Sequence, residues 1–327
     1  MKHFKTLTRI SALLCLLAGS LGVQAQAEYP NRAVHLVVPF VAGGAADAIA
    51  RPLAAELSKS LGQPVVVENK PGANSTLGVQ SVARAAADGY ILLFGSDAGL
   101  SLAPNTQPNL GYDVARDFAP VAVLAFTHQV LVVNAGSSFR SVHDLAHSAQ
   151  AQPGAIPYAS IGIGSLSHMS METLAKRMNT TMNHVPYQGV APAITDLIGG
   201  QVQVMLAAIS APLPHIKSGK LRAIGFAGPA RSPLLPDVPT IAEQGYPGFQ
   251  SRGWFGVMAP AATPPTVVAK LQAAIAKIAL NPSFQQNVIR ANGYETPQMK
   301  AEELARFLVS EKAASKAMVD PIRNQLK

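Results

Sequence analysis

The sequence predicts an α/β fold of parallel-rich sheets flanked by helices, and three observations carry that prediction. Short apolar runs alternate along the chain with stretches of helical spacing. Two glycine-rich turns each join such a run to a helix start: Pro39-Phe40-Val41-Ala42-Gly43-Gly44-Ala45-Ala46-Asp47 and Tyr158-Ala159-Ser160-Ile161-Gly162-Ile163-Gly164-Ser165-Leu166-Ser167-His168. No internal repeat or low-complexity linker divides the chain, which points to two lobes joined by crossing strands rather than by one hinge loop.

The elements follow in order. Residues 1–27 read as a secretory signal peptide, with Lys2, Lys5 and Arg9 before an apolar run at 10–18 and Ala25-Gln26-Ala27 as the cleavage site (Val23-Gln24-Ala25 is a second possibility). That run is too short to cross a membrane, and no later stretch approaches the roughly 18 apolar residues a span needs. Cys15, the single cysteine, lies in this segment behind Leu14, too bulky a residue for a lipoprotein signal, so the exported chain is expected to carry neither lipid anchor nor disulfide. Val34–Val38 is the first expected strand, and Ile49, Leu53 and Leu57 mark a helix face that starts near Ala48 or Ile49 because of Pro52. Strands are expected at 65–67 and 91–94 with a helix over 78–87 between them. Two more are expected at 121–126 and 130–133, split by Thr127-His128-Gln129. After 156–158, Met171, Leu174, Ala175 and Met178 give a helix, followed by strands at 202–206 and 221–226. Val268, Leu271, Ile275 and Ile278 mark a helix ending at Asn281-Pro282, and Leu304, Phe307 and Leu308 begin a last one.

Composition narrows the function. At 48% hydrophobic and 13% charged, the chain has ample material for a core. Its formal charge of +8 falls to +5 without the signal, and the remaining basic residues are scattered. That balance suits an anionic ligand or a plain soluble surface better than nucleic acid. A strand, a glycine turn and a helix start leave backbone N–H groups and the positive dipole end at one spot, which binds carboxylate or phosphate without a charged side chain. Two such turns suggest a ligand gripped from two sides. Metal and nucleotide motifs are absent, so no cofactor is expected. Ser165 and His168 stand close together, but the G-x-S-x-G elbow is missing and a hydrolase is the minor reading.

In this order the motifs resemble the Bug family of periplasmic substrate-binding proteins, the TctC type that serves tripartite tricarboxylate transporters. The pieces run from Pro39-Phe40, Gly43-Gly44 and Asp47 through Val67-Glu68-Asn69-Lys70-Pro71-Gly72-Ala73 and Asp88-Gly89-Tyr90. They continue with Tyr158-Ala159-Ser160, Gly164-Ser165, His168, His184-Val185-Pro186-Tyr187, Leu235-Pro236-Asp237-Val238-Pro239-Thr240 and Trp254-Phe255-Gly256. The resemblance implies a type II, two-lobe Venus-flytrap protein in the periplasm. Its lobes would be 28–126 with 248–327, and 127–247. It would act as a monomer that hands a small organic carboxylate to membrane permease subunits, or as an adapter presenting the ligand to a membrane histidine kinase. The ligand carboxylate would sit between loops 40–47 and 160–165, partly through water.

The candidate site residues follow. Gly43, Gly44, Ser160, Gly162, Gly164 and Ser165 are expected at the ligand carboxylate, with Phe40 and Val41 as the wall beside it. Asp47 holds the first loop or caps its helix, and His168 packs behind the second. This chain departs from the usual family pattern at Ala45-Ala46, Asn74-Ser75-Thr76, Asp97, Thr127-His128, Gln188 and Ala207-Ala208-Ile209-Ser210. Ser75, Thr76 and Ser210 join the candidates as polar groups near the ligand. Asp97 would need a hydroxyl, an amine or a protonated carboxyl as partner. His128 either meets a second carboxylate or lies in solvent. Room for a ring between two polar ends makes an aromatic dicarboxylate such as terephthalate one expectation, beside aliphatic and citrate-like acids.

Overall fold

Strand β1 (Val34–Val38), helix α1 (Asp47–Leu61), β2 (Val65–Asn69), α2 (Thr76–Ala83) and β3 (Ile91–Ser96) realise the first predicted alternation. The computed structural model describes residues 28–297 and 299–326, so the signal segment and Cys15 lie outside the described residues. β1 lies between β2 and β3, parallel to both. α1 buries Ile49, Leu53 and Leu57 as its spacing implies. It starts earlier than Pro52 suggests, because the Ala48 amide already bonds to Gly44 at 3.1 Å and the Ala50 amide to Ala46 at 2.9 Å. Pro52 therefore sits within the helix and leaves the Ala48 carbonyl without its i+4 donor. α2 stops at Ala83, short of the expected end at 87.

The chain continues through β4 (Phe118–Asn134), α3 (Val142–Ala151), β5 (Pro157–Ser160), α4 (Leu166–Arg177), β6 (Asn183–Pro186), α5 (Val190–Ile198), β7 (Val204–Ala208) and β8 (Leu221–Phe226). It ends with β9 (Arg252–Pro260), α6 (Pro265–Ala279), β10 (Tyr294–Glu295) and α7 (Ala301–Val319). The strands lie in the order β2-β1-β3-β9-β4-β7-β5-β6, with β8 and β10 also pairing β4. The sheet is mixed: β5 is parallel to β6 and β7, while β4 and β9 run antiparallel to their neighbours.

β4 corrects the expectation of two strands. It is one strand of 17 residues, because its backbone never loses a partner across the polar triplet. Thr127 and His128 face Gly253 and Arg252 of β9, and Gln129 takes up Ala208 of β7. β4 thus belongs to two half-sheets and changes partners between His128 and Gln129. Two other chain passages meet it there. The Gln129 amide bonds to Ser251 at 3.1 Å, the Ser251 amide to Ala227 at 2.9 Å, and the Ala227 amide to Gln129 at 2.8 Å. The buried Ser251 hydroxyl donates to Gln129 Oε1 at 2.7 Å and meets Ser170 Oγ at 2.7 Å.

Each half-sheet carries its own core. One gathers Leu131, Tyr158, Met171, Leu174 and Leu206. Another gathers Val37, Val79, Leu93, Leu304, Phe307 and Trp254. Trp254 is fully buried in that second cluster, edge-on to Phe307 with ring centroids 5.3 Å apart.

Candidate functional site

The loop from β1 to α1 is shaped by one carboxylate. Asp47, buried, accepts from the Gly43 amide at 2.9 Å, from Asn69 Nδ2 at 2.9 Å and from Arg51 Nε at 2.7 Å. Asn69 also donates to the Phe40 carbonyl at 3.1 Å, so both ends of the loop are tied to one network. Burial works to raise the Asp47 carboxyl, but the bonds from Asn69, Gly43 and Arg51 outweigh it and hold it below its ordinary value. Asp47 is occupied from within the protein. Gly43 adopts φ +81°, a left-handed conformation that glycine takes without strain. The half-buried Phe40 stands at the foot of the loop, and Val41 projects from it 59% exposed.

The loop from β5 to α4 is tied up still more completely. The Ile161 amide donates to Ser167 Oγ at 3.1 Å, that of Gly162 to Ser160 Oγ at 3.1 Å, and that of Gly164 to His168 Nδ1 at 3.1 Å. Ser165 caps α4 by accepting the His168 amide, and its hydroxyl donates to the Gly162 carbonyl at 2.6 Å. Ser160, wholly buried, meets His184 Nε2 at 2.6 Å. His168 and His184 stack with centroids 3.8 Å apart and planes 7° from parallel. Burial pushes His168 down to about 4, helped by His184 beside it, and burial alone pushes His184 down to about 4. The sequence expectation of free amides in this loop is therefore corrected for most of them: its serines and His168 consume the donors.

Free donors are found elsewhere. A cavity of about 420 Å³ is lined by Gly43, Gly44, Ala45 and Ala48 on one side. Val190, Ala191, Ile194, Thr195 and Ile198 of α5 face them, with Ser210, His215 and Tyr294 alongside. Neither α1 nor α5 has a side-chain cap at its start. The amides of Gly44, Ala45, Ala46, Val190 and Ala191 have no partner among the described residues. No acidic side chain lines this space. Tyr294 bridges it, with its hydroxyl 3.0 Å from Ser210 Oγ and 3.4 Å from the Ala45 carbonyl. The structure thus brings Gly43, Gly44 and Ser210 together, and no residue of 160–168 lines the same cavity. Sequence reasoning missed α5 and Tyr294. The signal for α5 was Gly189, at φ +127°, before an apolar stripe at Val190, Ile194 and Leu197; β10, with two residues, leaves no pattern to find.

The other candidates are not among the residues that line this cavity. In the loop from β2 to α2, Ala73, Asn74 and Ser75 have φ of 46°, 50° and 75°, three consecutive non-glycine residues in the left-handed region. Thr76 Oγ1 turns back to the Ala73 carbonyl at 2.8 Å, whereas buried Ser75 Oγ has no partner. His128 is buried rather than in solvent, edge-on to Phe226 and 3.7 Å from Glu295, and burial lowers its pKa. Asp97 stands at the end of β3, beside Thr127, Gly253 and the first residue of α4; a Cβ on Gly253 would lie 3.0 Å from Asp97 Oδ1, 3.3 Å from Thr127 Cγ2 and 3.4 Å from Leu166 Cδ2.

Comparison with known proteins gives this geometry a lineage. Residues 49–323 match the family model described as the tripartite tricarboxylate transporter family receptor, TctC. The chain belongs to that family. Among its relatives, Protein BugT of Bordetella pertussis is 39% identical over 269 residues, 81% of this chain and 82% of BugT. The R. palustris protein Rpa4515, solved with adipate, superposes with TM-score 0.85 at 32% identity, covering 89% of this chain and 97% of that one. MatC of Rhodopseudomonas palustris, with bound malate, gives TM-score 0.82 at 34% identity, covering 89% of this chain and all of the other. The chain is accordingly an α/β periplasmic solute-binding protein of the TctC type. No helix among its described residues is long and apolar enough to cross a membrane.

Proposed function

We propose that this protein captures a small organic carboxylate in the cleft between two lobes and delivers it to the membrane permease of a tripartite tricarboxylate-type transporter. The lobes are 28–126 with 248–327, and 127–247. One observation carries the reading: an acid-free cavity, of a size for a small metabolite, opens onto unpartnered amides at the uncapped starts of α1 and α5. Helix starts of this kind favour a carboxylate group, and Val190, Ile194 and Ile198 offer an apolar body something to rest on. Adipate and malate in two relatives support the ligand class. Terephthalate remains within it as the aromatic member to test. The ordered β5–α4 loop would join the ligand by exchanging internal bonds for ligand bonds as the lobes approach.

A thermal-shift screen of the chain from Glu28 against aliphatic and aromatic mono-, di- and tricarboxylates tests this directly. A ligand that binds only the folded state adds about 2.7 kcal/mol of stability at a hundredfold excess over Kd and so raises the melting temperature. Shifts with carboxylates and none with sugars or nucleosides are the expected result. Shifts with neutral solutes alone would overturn the reading.

A further inference from the structure

Two acids of this chain, buried Asp47 and partly buried Asp97, are treated in opposite ways. Asp47 receives three strong donors, including the Arg51 guanidinium. Asp97 receives its own amide and the Trp254 amide at a long 3.3 Å. Arg252 is the cation near it, but that guanidinium is committed to Glu311 of α7 and lies over the Phe126 ring at 4.2 Å. The other groups near Asp97 offer it no cation: Leu166 of α4 is apolar, and Glu311 is an acid that is itself paired with Arg252. Beside Asp97, Thr127 Oγ1 is buried without a hydrogen-bond partner. Asp97 nevertheless keeps an edge open, at the point where β3, β4 and β9 meet the start of α4. The surroundings thus suit the neutral acid, which is a hydrogen-bond donor, and not an anion waiting for an ammonium group.

We propose that Asp97 and Thr127 form the subsite for a second carboxylate on the ligand, and that Asp97 takes up a proton from solvent as that carboxylate arrives. The proposal rests on the carboxylate reading of the cleft. Two carboxyl groups at hydrogen-bonding distance hold one proton between them, because both cannot be ionised there. Asp97 Oδ–H then donates to one ligand oxygen and Thr127 Oγ–H to the other. Desolvation pushes Asp97 up to about 7, with Glu311 adding to the effect and Arg252 opposing it, so the proton is at hand near neutrality. Specificity follows: a dicarboxylate uses both ends of the cleft, whereas a monocarboxylate leaves Asp97 without a partner.

The experiment is isothermal titration calorimetry of the chain from Glu28 with succinate, malate, adipate and terephthalate and their monocarboxylate counterparts, at pH 6, 7 and 8, in two buffers of different ionisation enthalpy. A dicarboxylate is expected to bind about tenfold more weakly at pH 8 than at pH 6, with nearly one proton taken up at pH 8. Asp97→Asn, which supplies a neutral donor of the same shape, should keep affinity within about threefold of the wild type at pH 6 and abolish both the pH dependence and the proton uptake. Thr127→Val should weaken dicarboxylates selectively. Dicarboxylate binding with a flat pH profile, or an Asp97→Asn variant that retains the wild-type slope, overturns this subsite and leaves the carboxylate reading intact. Acids bearing an amine that bind more tightly as pH rises would make Asp97 an ammonium partner and overturn it too. No binding of any acid would overturn both.

Discussion

At the scale of single residues, the two loops are held by side chains whose ionisation can be followed. The stacked His168 and His184 are both kept neutral in the folded chain, with pKa values near 4 against about 6.5 unfolded. The unfolded state therefore binds more protons between those limits. The stabilisation is complete above pH 6.5 and is lost as pH falls toward 4. Chemical denaturation across that window should show a loss of several kcal/mol, at most about 7 for the two rings together. His184→Gln keeps a partner for Ser160 and should flatten the slope; an unchanged slope would take the ring pair out of the account. Asp97 has the opposite sign. Its folded pKa is raised, so its contribution is present below about 3.8 and is lost as pH rises through 7. Asp97→Asn should therefore gain stability over the wild type progressively from pH 4 to pH 8, read as a growing difference in melting temperature. Such a carboxylate costs the fold stability at neutral pH, which is the expected mark of a residue kept for its chemistry.

At the scale of elements, glycine positions separate fold from ligand. Gly256 of β9 lies so close to β4 that a Cβ there would meet the Ala122 carbonyl at 2.5 Å, and a backbone atom cannot swing aside. Gly256→Ala should cost about 1–3 kcal/mol by denaturant melting, with ligand affinity at saturating stability unchanged. Gly43 has nothing within 4 Å of its would-be Cβ, yet its φ is +81°. Gly43→Leu should put a side chain into the cavity mouth, weakening carboxylate binding far more than the roughly 1–2 kcal/mol of backbone strain would weaken the fold. These elements also show what the chain made legible. Alternation exposed β1 to β3, α1 and the two glycine loops, because buried parallel strands and amphipathic helices write themselves as apolar periods. The continuity of β4 stayed hidden, since Thr127, His128 and Gln129 look like a break and only their partners on β9 and β7 make them strand. The self-satisfied β5–α4 loop was hidden for a related reason: Ser160, Gly162 and Gly164 look like ligand donors until the bonds of the loop's amides to Ser160, Ser167 and His168 are known.

At the scale of the whole molecule, both half-sheets depend on the crossing where Gln129, Ala227 and Ser251 hold one another. Ser251→Ala would leave buried Gln129 Oε1 without its hydroxyl donor, costing about 1–3 kcal/mol. It should also loosen the crossing, seen in solution scattering as a larger radius of gyration without ligand and a normal one with it. An unchanged radius would mean that the backbone bonds alone set the angle. β4 adds a consequence of its own. At about 3.3 Å per residue it is a ribbon some 55 Å long, anchored in a sheet at either end. Drawing the two ends together around a ligand must twist or flex that ribbon, and a flexed ribbon pushes back. Under the proposed closure it would act as a leaf spring, wound by the binding energy of the cargo and unwound when the cargo leaves, so the return stroke would need no fuel beyond the ligand itself.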